Sequence, residues 1–186
     1  MAEDIEEDFE EDFDEYLMDV PPRRARGRRA WAAAVGRLLS VGADADKDAA
    51  LDLLCLLYEL FKLARTKGDL ALESHVERPE QSPVFARHPG VTPGEVEFVC
   101  DTLRMFTLGV NDPVAVRRMQ EADLASRGLA CPRRRARLRL VVEATVGHAD
   151  GYAPQVSVEF ARRSLPPRRR PCLFELEEAL MNILAD

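Results

Sequence analysis

Long apolar runs are missing from this chain of 186 residues. No stretch offers the roughly 18–20 uninterrupted apolar residues that a membrane-spanning helix needs. The nearest, Ala30 to Ala43, is interrupted by Arg37 and reads as a core or interfacial helix. The N-terminus opens on acids, without the apolar h-region of a secretory signal. Cysteine is scarce, and Cys55, Cys100, Cys131 and Cys172 show no C-x-x-C spacing. They read as reduced, mostly buried thiols of a cytosolic protein. Histidine is scarcer still: His75, His88 and His148 share no ligand spacing, which argues against a metal site. Asp44-x-Asp46-x-Asp48 imitates the opening of a calcium loop. Ala49, however, stands where the sharp turn needs glycine, and Cys55 where a bidentate glutamate belongs. Phosphate-binding loops, dinucleotide fingerprints and nucleophile elbows are absent as motifs. No pair of carboxylates is marked as catalytic. The sequence therefore predicts no enzyme, no metal and no cofactor.

What the chain has is charge, unevenly placed. There are 33 acidic and 26 basic residues, a net charge of −7. Eleven of the acids lie between Glu3 and Asp19, where there is no lysine or arginine; the other 22 face all 26 bases, leaving a body of +4. Within the acidic segment Ile5, Phe9, Phe13, Leu17 and Val20 recur every three or four residues, the spacing of one helix face. Two readings stand side by side. One is a solvated, disordered tail kept open by like charge; the other is an acidic amphipathic helix that folds against a basic, apolar groove. Arginine clusters at 23–29, 133–139 and 162–170 offer phosphate contacts. They lack the interleaved aromatics of a single-strand binder, so nucleic-acid binding ranks last among the readings.

Helix signals dominate the rest. The strongest covers Asp46 to Gly68, with Asp46 and Asp48 as first-turn acids, Lys62, Arg65 and Lys67 at the end, and Gly68 at the stop. Its leucines and aromatics are too many for the single stripe of a half-wet helix, so it must be buried on more than one side. Asp69 is expected to cap a shorter helix, Leu70 to Glu77, followed by a proline-rich loop. Thr92-Pro93-Gly94-Glu95 is a capping box opening a helix to Gly109, and Asp112-Pro113 opens another to about Arg127. The alternation Arg137-Leu138-Arg139-Leu140, then Val141-Val142, predicts a short strand or irregular segment near 136–146. Pro154 to Leu165 and Leu173 to Leu184 read as closing helices. The expected fold class is mainly α: a small bundle of about five or six helices behind an acidic tail. The expected organisation is a tail at 1–29, a helical segment at 30–128, an Arg-rich insert at 129–149 and a C-terminal segment at 150–186.

Several motifs then become specific. Leu51-Asp52-Leu53-Leu54-Cys55-Leu56-Leu57-Tyr58-Glu59-Leu60 is followed by Ala64-Arg65, Gly68, Leu72-Glu73 and Glu77-Arg78-Pro79. Phe98-Val99-Cys100-Asp101-Thr102-Leu103-Arg104 comes next, and later Gly151-Tyr152-Ala153-Pro154, Val158-Glu159-Phe160, Arg170-Pro171 and Glu175-Leu176-Glu177-Glu178. In this order they resemble the cytoplasmic segments of the MotA family of bacterial flagellar stator subunits, within the MotA/TolQ/ExbB proton channels. The resemblance spans 48–119 and 150–180, or 103 of the 186 residues.

The resemblance implies a ring of MotA subunits around a MotB dimer, in which ion flow drives the ring against the rotor switch protein FliG. It implies rotor contact through charged residues, which carry over by motif onto Arg65 and Glu73. It also implies four membrane spans, for which this chain has no counterpart. The expectation is thus the torque-generating cytoplasmic region of a stator protein, in a truncated or rearranged chain that cannot conduct ions alone. Such a chain would be cytoplasmic or peripheral to the inner membrane, with no small-molecule substrate. The alternative is a soluble helical interaction or regulatory module.

Overall fold

The computed structural model describes the backbone of residues 26–185 and the side chains of 45–183; the expected acidic tail, disordered or amphipathic, lies outside the described side chains. The chain divides into two units, Met1–Ser40 and Val41–Asp186. The described part of the first is the start of helix α1, Arg26–Lys67. The second holds the rest of α1 and seven further α-helices: α2 Glu73–Glu77, α3 Pro83–Ala86, α4 Pro93–Thr107, α5 Pro113–Ser126, α6 Pro132–Ala149, α7 Pro154–Ser164 and α8 Leu173–Ala185. Short 3-10 turns at 69–72, 79–81 and 167–169 link them. The mainly helical class is as expected, with two one-turn helices, α2 and α3, adding to the count.

Helix α1 shows why the other helices gather as they do. All residues from Leu53 to Leu60 are buried, and so are Phe61 and Ala64. Such a helix needs cover on several sides, and its polar contacts show where the cover comes from. His88 reaches it from the loop before α4, Arg133 and His148 from the two ends of α6, and Gln155 from α7. The helix begins at Arg26, not near Asp46. Asp46 and Asp48 are therefore mid-helix, and Asp46 is held instead between Arg133, at 3.4 Å, and Arg169, at 3.5 Å.

Glu59 lies inside this buried run, where an unpaired carboxylate would be costly. The loop at 87–90 answers it. His88 is 6% exposed and sits between Asp52 Oδ1, at 2.7 Å from Nδ1, and Glu59 Oε1, at 3.0 Å from Nε2. Both ring nitrogens of this one buried histidine are thus engaged by carboxylates of α1. Arg87 pairs with the same Glu59. The Gly90 amide donates to Asp52 Oδ2 at 2.6 Å, and a Cβ on Gly90 would fall 2.7 Å from that oxygen. A side chain there would push the Asp52 carboxylate aside and disturb this bond.

The capping box of α4 is formed as its motif requires: the Thr92 amide donates to Glu95 Oε2 at 2.8 Å, and Asp112 caps α5 through the Ala115 amide at 3.0 Å. Buried Glu95 is also paired with Arg137 of α6 at 2.7 Å. Deeper in, Gln120 of α5 joins two other helices. Its Nε2 donates to Thr102 Oγ1 of α4 at 3.0 Å, and its Oε1 accepts from Thr145 Oγ1 of α6 at 2.9 Å.

The segment near 136–146, expected to be a strand or irregular, lies wholly within α6, and no strand occurs among the described residues. Leu138, Val141, Val142 and Thr145 share one helix face, and buried Leu140, Ala144 and Gly147 form a second. Burial on two faces hid the helical period, and the β-branched pair gave way to tertiary packing. The cysteines need a correction too. Cys55 and Cys100 are buried, and burial pushes both thiols up to about 12, but Cys131 and Cys172 are exposed.

Removing the ring that bridges Glu59 and Asp52 should be the most damaging change outside the apolar core. His88→Ala is expected to cost about 3 kcal/mol or more in urea unfolding, against about 1–3 kcal/mol for Gln120→Ala, which leaves neutral groups unpaired. A cost for His88→Ala no greater than that of a surface substitution would remove the loop from this role.

Candidate functional site

The two residues singled out by motif lie on either side of one bend. Helix α1 ends where Gly68 turns to a φ of +83°, a conformation that suits a residue without a side chain. The Gly68 amide still donates to Ala64 O at 2.8 Å. Arg65 is in the last turn of α1, and Glu73 is the first residue of α2, so each complements the dipole of its own helix. Both are exposed. They are not partners: Arg65 Nη1 donates to the Gly151 carbonyl at 3.0 Å, and the Glu73 carboxylate has no ion pair among the described residues. Asp69 does not cap the following turn, whose N-cap is Gly68 without a side-chain bond. Its carboxylate accepts from Asn111 Nδ2 at 3.2 Å and lies 3.9 Å from His148 Nε2.

Three turns are therefore joined at one end of the second unit: 68–72, the α4–α5 loop at 108–112, and the α6–α7 turn at 150–153. His148 sits beneath them, stacked on Phe61 at 4.4 Å with an interplanar angle of 3°, and tilted against Phe106 at 5.5 Å. Burial pushes its pKa below the ordinary value, Asp69 opposes that shift, and the Arg65 guanidinium adds to it. The ring is thus held neutral under two charged neighbours. His75 is lowered as well, first by burial and then by Lys67 and Arg87, and its Nδ1 is 2.7 Å from Ser82 Oγ.

Sequence reasoning named Arg65 and Glu73 by motif; Asp69, Asn111 and His148, which the structure places at the same bend, were not named with them. The contact between Arg65 and Gly151 spans 86 residues, and no local pattern announces it. One signal was available, since the Gly151-Tyr152-Ala153-Pro154 motif was already marked. Among the described residues, no helix is long and apolar enough to cross a membrane.

Comparison with known proteins bears on this arrangement. No protein-family profile matches the chain, and no solved structure does. The chain is 33% identical to Chemotaxis protein LafT of Vibrio parahaemolyticus over 76 residues, covering 40% of this chain and 27% of that protein. The match thus spans only about a quarter of that relative's length. The chain is 24% identical to Motility protein A of Salmonella typhimurium and, equally, of Escherichia coli. Each of these alignments runs over 203 residues and covers 69% of both partners.

Protonation of His148 gives a test of the packing beneath the turns. Above the ordinary pKa of 6.5 the ring is neutral in folded and unfolded chain alike, and its packing contributes fully. Below 6.5 the unfolded chain takes up a proton that the folded chain resists, so stability falls as pH drops toward the lowered value. Thermal melting between about pH 7.5 and 5.5 is expected to show this loss, with His75 acting in the same direction. His148→Phe keeps a stacking ring and is expected to flatten the slope; an unaltered slope would assign the proton uptake to other groups. The chain is thus similar in sequence to Chemotaxis protein LafT and to two proteins named Motility protein A, a likeness that supports a MotA-like motility protein.

Proposed function

We propose that this chain is the torque-generating cytoplasmic part of a flagellar stator, and that it touches the rotor switch protein FliG through Arg65 and Glu73. One observation carries the reading. Two motif blocks that carry the MotA resemblance, 64–73 and 151–154, meet at the same corner, with Arg65 bonded to the Gly151 carbonyl. A contact surface needs charged groups that are exposed yet held in place; Arg65 meets both conditions, and Glu73 stands exposed at the start of α2. Exposed ion pairs are worth about 0–1 kcal/mol each, which suits contacts that must form and release at every step. The role proposed is mechanical, not enzymatic.

Ion conduction is assigned to other parts of the assembly. The absence of any membrane-length apolar helix among the described residues supports this. The alignments to Motility protein A, at 203 residues, are longer than the whole chain, so those relatives carry intervening residues that this chain skips. That supports a shortened or rearranged stator chain, working at the inner membrane beside MotB and full-length MotA subunits.

Charge reversal tests the reading. Arg65→Glu or Glu73→Lys alone is expected to weaken FliG binding up to about fivefold, and the double variant more. The loss should be larger at low salt, where exposed charges are less screened. Binding and swimming that survive the double reversal at every salt concentration would sink the assignment.

A further inference from the structure

The charges at the corner do not stand alone. Leu70, on the turn between Arg65 and Glu73, is 71% exposed, and Leu108, at the end of α4, is 72% exposed. The bond from Asn111 to Asp69 holds the loop that follows Leu108 against the turn that carries Leu70. The third joined turn adds Tyr152, 44% exposed and packed edge-on against Phe160 at 5.1 Å. Each of the three turns thus presents one large apolar side chain to solvent, on segments tied to the bend of Arg65, Lys67, Asp69 and Glu73 by the bonds at Gly151 and Asn111. A cleft of about 600 Å³ opens beside Leu70, with Glu73 and Glu77 among its lining residues.

Resting on the rotor reading, we infer that Leu70 and Leu108, with Tyr152 at their edge, form an apolar anchor that supplies most of the binding energy of that contact, while Arg65 and Glu73 set its orientation. The occupant is a folded protein surface with a shallow apolar recess, a polar group that enters the cleft between Glu73, Glu77 and Arg78, and an acid that faces Arg65. Energetics favour this division. Exposed ion pairs contribute little, whereas burying a leucine removes enough apolar surface from water to change affinity by about tenfold or more. Interfaces commonly concentrate their energy in a few central apolar or aromatic side chains ringed by charges. The mixed signs of the surrounding charges favour a protein over a lipid surface, which selects clustered basic residues.

The experiment uses the full chain and purified FliG. Leu70→Ser and Leu108→Ser are compared with Arg65→Glu at low and high salt, with melting temperature recorded for each. Wild-type binding is expected to persist at high salt. Each leucine variant should lose about tenfold, the pair more, with unchanged salt dependence and unchanged melting. Arg65→Glu should change the salt dependence instead. If the leucine pair binds like wild type while Arg65→Glu weakens binding, the anchor is wrong and the rotor reading stands. If wild type fails to bind FliG, or neither class of variant has an effect, both fall. If the leucine variants lose binding to anionic phosphatidylglycerol vesicles but not to FliG, the occupant is a membrane and the anchor inference is overturned.

Discussion

The buried carboxylate of Glu59 is the constraint on which the rest of the structure turns. It lies within a run of buried residues in α1, and an apolar helix tolerates such a group only when a counter-charge is delivered to it. The loop at 87–90 makes that delivery with Arg87 and His88, and His88 takes in Asp52 at the same time. Because the loop is fixed on α1, the start of α4 is fixed just beyond it, at the capping box of Thr92 and Glu95. Glu95 then takes Arg137, which places α6. A chain of ion pairs, centred on buried Glu59 and Glu95, thus links α1, α4 and α6.

That chain was hard to see in advance. His88 is 36 residues from Asp52 and 29 from Glu59, and each has a bland local explanation: two acids on a helix and a histidine between prolines. What could be read was the local chemistry. The capping box, the proline at the start of α5 and the glycine at the end of α1 are decided by neighbours within four residues, and they stand where the sequence put them. Helix α6 misled because it is buried on two faces. With Arg137 drawn to Glu95 and the neighbouring Arg139 exposed, its polar and apolar residues alternate like those of a strand. The start of α1 was misplaced for a related reason. Asp46 resembled a first-turn acid, but its partners are Arg133 and Arg169, far along the chain.

The candidate site divides in the same way. Arg65 and Glu73 were legible through a motif, and so was the Gly151 turn, but not the fact that they touch. Long-range contact of this kind is set by packing, here by the His148 ring lying flat on Phe61 and bringing the end of α6 against α1. Position and chemistry were readable; support was not. The support also gives the corner its physical character, since a neutral imidazole keeps a layer of low polarity beneath exposed Arg65 and half-buried Asp69.

The bond from Arg65 to the Gly151 carbonyl has a mechanical consequence. Residues 41–67 of α1 span about 40 Å at the usual helical rise. A sideways push on the tip of an isolated rod of that length would bend it. Here the guanidinium is tied to the turn between α6 and α7, so the push is shared by a second pair of helices, and Asp69 passes part of it to the loop after α4. The corner acts as a braced joint, and its stiffness comes from two ties to neighbouring turns more than from any one helix.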